Sequence, residues 1–224
     1  MYTLIFDWDG TLHNTKHLYG CAFRTAYRWL VSQGYAPEKT YTDEEVSIYL
    51  GLNARDMWNT FMPSLPQHVK ETASDLVGRE MVAAVLAGKA VLYPGAAKTL
   101  TRLKQQGFCL VFLSNCKHAY MEAHRKYFHL DHWFDAFYCC QDYDFAPKEL
   151  IFPQIRKAFP GDFIVIGDRS SDFAVARSHG LLSIGCAYGF GTPEEWGSAD
   201  LTVQDVRQIP EKILRLCRNH NHWQ

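Results

Sequence analysis

The chain has 224 residues, 47% apolar and 21% charged, which suits a core domain carrying a smaller one and excludes disordered, collagen-like and coiled-coil classes. Its 23 basic and 24 acidic residues give a net charge of −1 with no block of either sign, which argues against nucleic-acid or anionic-membrane partners. No run approaches the roughly 20 apolar residues of a bilayer span, and no signal-peptide pattern opens the chain, so a cytoplasmic location is expected. The seven cysteines include no CxxC pair and are expected to be reduced and mostly buried.

Tyr2 to Phe6 (YTLIF) is short, β-rich and apolar, as expected of a central strand covered on both faces, and it stops at Asp7. From about His13 to Leu92 the patterns are helical: Leu18 to Gln33, Asp43 to Leu50, Ala54 to Phe61 and Gln67 to Gly88. Pro37 and Pro63 to Pro66 act as breakers between them. Tyr93-Pro94-Gly95 marks the return of an alternating rhythm. Apolar runs at Phe108 to Leu113, Ala136 to Cys140, Phe163 to Ile166 and Leu181 to Ile184 are separated by amphipathic stretches such as Ala96 to Gln106 and Glu149 to Phe159. The expected fold is therefore α/β, a doubly wound parallel sheet with right-handed crossovers, formed by residues 1–13 and 91–224. An all-helical domain is inserted at 14–90. The tail His220 to Gln224 (HNHWQ) is read as frayed and not as a metal site.

Chemistry concentrates where strands end. Asp7-Trp8-Asp9-Gly10-Thr11 places two carboxylates just after a buried strand, at the edge where open α/β sheets bind ligands. Two like charges in a partly buried loop need a cation or a proton to offset them, so the pair implies a metal, an acid/base pair or both. An Asx-rich turn would use the same residues. A second carboxylate pair, Asp168 and Asp172 in Gly167 to Asp172 (GDRSSD), follows the strand at Phe163 to Ile166. With Asp7 it supplies the hard oxygen donors that Mg²⁺ prefers, although a helix N-cap would use Asp168 or Ser170 in the same way. Ser114-Asn115 follows a third strand and could donate to phosphate oxygens. Lys148 opens a helix, where a cation opposes the helix dipole and so invites a functional explanation.

These four elements, in this order, resemble the haloacid dehalogenase superfamily: its DxDGT motif is Asp7 to Thr11, its Ser/Thr motif Ser114, its lysine Lys148 and its GDxxxD motif Gly167 to Asp172. The helical insert resembles the subgroup that includes phosphoglycolate phosphatase and β-phosphoglucomutase, whose cap lies between the first two motifs. Trp8 departs from the more usual Phe, Leu or Met, at a position where only the backbone is expected to face phosphate.

The resemblance implies a Mg²⁺-dependent phosphatase of a small phosphorylated metabolite, phosphoglycolate-like or sugar-phosphate-like, acting as a monomer or homodimer through an aspartyl-phosphate. Asp7 would be the nucleophile, and Asp9 first the acid and then the base. Mg²⁺ would be held by Asp7, Asp168 and the Asp9 carbonyl, with Asp172 bound directly or just behind. Ser114, the backbone at Asn115 and Lys148 would hold the transferring oxygens, with Gly10 and Thr11 also on the phosphate side. Asp9 disfavours a dehalogenase. A phosphomutase uses the same motifs and stays open, and an idle binding or signalling module would be expected to have lost one of them. Within the insert, Tyr49 to Asp56 is the turn expected to face the core. Arg55 there could grip a carboxylate or second phosphate on the leaving group, or pair with a neighbour on a solvated face.

Overall fold

The computed structural model describes residues 2–221, so the reading of the His220 to Gln224 tail lies outside the described side chains. Among the described residues six strands form one parallel sheet: β1 (Tyr2–Phe6), β2 (Cys109–Ser114), β3 (Ala136–Cys139), β4 (Asp162–Gly167), β5 (Leu182–Cys186) and β6 (Leu201–Val203). Their order is β3-β2-β1-β4-β5-β6, the doubly wound arrangement expected from the sequence, plus a short edge strand, β6, that its three residues had not announced. The winding reverses between β1 and β4, which pair from Tyr2↔Asp162 to Phe6↔Ile166. A crevice therefore opens beyond Phe6 and Gly167, the place where such sheets bind ligands.

Side-chain alternation along the strands sorts the core into two layers. Leu4, Phe6, Phe112, Ile164 and Ile166 face one side, covered by α5 (Ala96–Gln105), α6 (His118–Phe128) and α9 (Ile209–Asn221). Ile5, Val111, Leu113 and Val165 face the other, covered by α7 (Lys148–Ala158) and α8 (Ser170–His179). All seven cysteines are free, and three of them, Cys139, Cys140 and Cys186, are buried. Among the described residues no helix is long and apolar enough to cross a membrane.

Between β1 and α5 the chain makes one helical excursion: α1 (Lys16–Ser32), α2 (Asp43–Ser47), α3 (Ala54–Phe61) and α4 (Gln67–Leu86). It leaves and returns side by side, with the Asn14 amide donating to the Val91 carbonyl and the Tyr93 amide to the Leu12 carbonyl, both at 2.9 Å. The second helix stops at Ser47, shorter than the pattern suggested, and the chain then turns through Tyr49 to Leu52. The excursion has its own aromatic core. Phe23 is fully buried there, edge-on to Phe61 (5.0 Å) and stacked with Trp58 (6.3 Å) and Tyr27 (6.2 Å). Truncation at the centre of such a cluster costs both transfer energy and a cavity. Phe23→Ala should therefore destabilise the helical segment by about 3–5 kcal/mol, read as a lower denaturation midpoint by circular dichroism.

Candidate active site

At the end of β1 the Asp7 amide still donates to the Ile166 carbonyl (2.9 Å), holding the first motif against β4. The chain then folds back on the Trp8 carbonyl, which accepts from the amides of Thr11 (3.2 Å), Leu12 (2.9 Å) and His13 (3.0 Å). Gly10 takes φ +88° in this turn, and a side chain there would collide with the Asp168 carboxylate. Glycine meets both demands, the left-handed backbone and the empty space. Trp8 itself is buried among Phe112, His124 and Phe128, so its side chain packs in the core and does not line the cavity.

The central contact is ionic. Lys148, the first residue of α7 and almost fully buried, places Nζ 2.7 Å from Asp7 Oδ1 and 2.7 Å from Asp172 Oδ1. The other oxygen of Asp172 accepts from the amides of Asp168 (3.1 Å) and Arg169 (3.0 Å), so the residue also caps the start of α8. Asp168 is fully buried. Its Oδ2 accepts from the amides of Phe190 (2.7 Å) and Gly191 (3.3 Å), and Thr11 Oγ1 donates to its Oδ1 (3.3 Å).

Carboxylate oxygens of Asp7, Asp168 and Asp172 all lie within 4.8 Å of one another. Three acids thus face one lysine. Burial, and then the Asp172 charge, push Asp7 up to about 7 against the pull of Lys148. Burial, and then Asp7 and Asp172, raise Asp168 well above the carboxylate range. Burial opposes the charge on Lys148 as well, but the two carboxylates outweigh it and keep the ammonium charged. Three buried carboxyls on hard oxygens against one ammonium can all ionise only with a further positive charge beside them, which fits a divalent cation such as Mg²⁺ in place of the protons.

Asp9 is held differently. His13 Nδ1 (2.9 Å), Tyr120 Oη (3.1 Å) and Thr15 Oγ1 all converge on its Oδ1. Burial alone would raise its pKa, but the His13 hydrogen bond and charge, with His124 and Thr15, hold it below the usual value. Among the described residues no donor meets Oδ2, which leaves that oxygen for a ligand. The sequence reading missed this cradle. His13 lies four residues from Asp9 and could have been noticed, whereas Tyr120 is 111 residues away and gives no local signal.

Ser114 is buried at the end of β2, its Oγ accepting from the Cys116 amide (3.3 Å), and it lines the same cavity as Asp7 and Asp9. The turn at Tyr49 to Leu52 closes that cavity from above, as expected. It is pinned by Asn115 Nδ2, which donates to the Gly51 carbonyl (2.8 Å), and by the Arg169 guanidinium, which donates to the Leu50 carbonyl.

Three expectations change. The Thr11 hydroxyl and carbonyl are occupied by Asp168 and Tyr188, so Thr11 orients a carboxylate and offers no side chain to phosphate. The Asn115 side-chain amide, a donor that the strand-end reading offered to phosphate, is committed to the turn, while the contact implied by the resemblance was through its backbone alone. Arg55 does not line the cavity, because on α3 it points away from the face formed by Ala54, Met57 and Trp58. It is half exposed, 3.4 Å from Asp144 and above the Phe145 ring at 5.2 Å. It pairs with a neighbour, as the plainer alternative held, but that neighbour belongs to the core.

Residues 4–186 match the family model of haloacid dehalogenase-like hydrolases, and the chain belongs to that family. A phosphoglycolate phosphatase from Mannheimia succiniciproducens is 26% identical over 116 residues, 44% of this chain and 46% of the relative. The chain spans about half the length of the curated relatives it matches. A crystal structure described as a predicted phosphatase from Clostridium acetobutylicum superposes with a TM-score of 0.81 at 24% identity, covering 96% of this chain and 98% of that one. CbbY from Rhodobacter sphaeroides in complex with phosphate superposes at 0.74 with 19% identity, over 92% and 95%.

Removing one partner from a buried ion pair leaves the other charge stranded. Lys148→Met should therefore destabilise the cation-free protein by about 3–5 kcal/mol, measured by urea unfolding at neutral pH.

Proposed function

We propose that this chain is a Mg²⁺-dependent phosphatase of a small phosphomonoester, working through an aspartyl-phosphate on Asp7. The observation that carries the reading is Lys148 bridging Asp7 and Asp172, beside Asp168, at the reversal point of the sheet. Family membership supports the chemistry, and relatives named as phosphoglycolate phosphatases support a small phosphorylated metabolite as substrate. Residues 14–90 act as a cap domain over a core of 1–13 and 91–224.

In this reading Asp7, Asp168 and the Asp9 carbonyl hold the cation, with Asp172 adjacent. When bound, the cation neutralises phosphate charge and lets a carboxylate approach an anionic ester. Asp7 attacks phosphorus and the bond to the leaving oxygen breaks, while Lys148 and Ser114 steady the transferring group. Asp9 is ionised in the free site and takes up a proton as the anionic ester brings negative charge beside it. Its open Oδ2 delivers that proton to the leaving oxygen. Asp9 then removes a proton from the water that attacks the aspartyl-phosphate, which releases phosphate and restores Asp7.

Release of inorganic phosphate from an aryl phosphate should require Mg²⁺ and stop in excess EDTA. Asp7→Asn should lower kcat by roughly a thousandfold or more, and Lys148→Ala by about a hundredfold. Full turnover in EDTA, or in Asp7→Asn, would overturn the mechanism.

The acid cluster also sets a pH dependence. Asp7 keeps its proton in the folded, cation-free protein up to about pH 7, whereas an unfolded chain releases it near the ordinary value of 3.8. Between those limits the folded state binds more protons, so cation-free stability falls as pH rises. A cation must displace those protons. The rise in melting temperature caused by Mg²⁺ should therefore be larger at pH 8 than at pH 5.5 by differential scanning calorimetry.

A further inference from the structure

The cavity above Asp7 and Asp9 measures about 110 Å³, several times the roughly 10–15 Å³ that one water needs on the same measure. Its floor is acidic and polar, formed by Asp7, Asp9 and Ser114. Its wall, contributed by the helical segment, is not: Tyr19, Tyr49, Met57, Trp58, Val77 and Met81 make most of it. Among the described residues that line it, Lys117 is the one cation. Lys117 reaches across to α4, where its Nζ lies 2.8 Å from Asp75, so its charge is already met. The other cations nearby are also engaged. Lys148 lies between Asp7 and Asp172. Arg169 is bound to Glu195 and the Leu50 carbonyl, and Lys70 to Asn59 and the Pro63 carbonyl.

A carboxylate or second phosphate on the leaving group would lose its hydration beside apolar side chains and the Asp9 carboxylate, with no free cation to replace it. An apolar leaving group would bury its surface against Met57, Trp58, Val77 and Met81 with no such penalty. Two donors of this wall, Tyr19 Oη and Trp58 Nε1, are buried without a hydrogen-bond partner, so a neutral acceptor on the ligand would also complete them.

We propose that the substrate is a phosphomonoester with a neutral, largely apolar leaving group, selected by the Tyr19–Met57–Trp58–Val77 wall. The proposal rests on the phosphatase reading and narrows it, away from glycolate and from bisphosphates.

The test uses the full chain with Mg²⁺ and two matched pairs. Benzyl phosphate and 2-phosphoglycolate both leave as primary alcohols, and they are compared by kcat/KM. Their hydrolysis-resistant counterparts, 2-phenylethylphosphonate and 3-phosphonopropionate, are compared by isothermal titration. The benzyl or phenylethyl member should win at least tenfold in both measurements. Equal or reversed affinity in the titration overturns the proposal, whether or not either ester is hydrolysed. If neither ester turns over but the phenylethyl compound binds tenfold tighter, the phosphatase reading fails and the assignment of the cavity stands. If 2-phosphoglycolate is hydrolysed as well as benzyl phosphate, the reverse holds. Met57→Ala and Val77→Ala should each lower kcat/KM at least fivefold for benzyl phosphate and less than twofold for 2-phosphoglycolate. Equal falls on both esters would make the wall structural and overturn the proposal.

Discussion

The buried bridge from Lys148 to Asp7 and Asp172 is the constraint on which the rest of the site depends. It joins the end of β1, the start of α7 and the first turn of α8, three elements that meet only because the sheet reverses direction between β1 and β4. One lysine among three acids is an incomplete neutralisation once all three ionise, which is why the cluster fits a divalent cation. The neighbouring backbone is shaped to tolerate this crowding. Gly10 and Gly191 keep side chains away from Asp168, and the amides of Phe190 and Gly191 supply donors where no side chain could fit.

Asp7 and Asp9 are two residues apart, yet their environments drive them in opposite directions. Asp7 sits among acids in a buried pocket and is pushed upward, while Asp9 is drawn down by donors gathered on one oxygen. The two carboxylates at one strand end therefore meet opposite electrostatic surroundings in the cation-free site. The cradle of Asp9 is stiffened from behind by packing. The His13 ring stacks on Trp8 and meets His124 edge-on at 4.5 Å, so the hydrogen bond to Asp9 comes from a ring with little freedom to turn. Trp8, the residue that departs from the more usual family pattern, finds its use in this packing.

The helical segment keeps its own aromatic core, yet it also joins the core of the sheet domain, where Leu18 and Val85 are buried and Met81, Val82 and Ala84 pack alongside. Asn115 and Arg169 grip the carbonyls of the Leu50–Gly51 turn, and Arg55 reaches Asp144. Phe190 ties the two together differently. Its amide supports Asp168 while its side chain packs against the helical core, so the acid cluster and the helical segment share one loop.

Much of this was legible in the sequence, because the signals are local. Short, nearly unbroken apolar runs mark strands buried on two faces, paired acids at strand ends mark the crevice, and Tyr49 to Asp56 between helical patterns marks the turn over the site. Asp7, Asp9, Ser114, Lys148, Asp168 and Asp172 could all be picked out in this way, as could the inserted helices. The direction of each side chain could not. Thr11 turns to Asp168 across 157 residues, Tyr120 to Asp9 across 111 and Arg55 to Asp144 across 89. By itself the sequence determined which residue types stand at the strand ends, since burial period and turn chemistry act over a few neighbours. Only the tertiary structure decided which of them face the cavity, which brace another residue, and that the wall above them is apolar, because those choices depend on packing between segments remote in the chain.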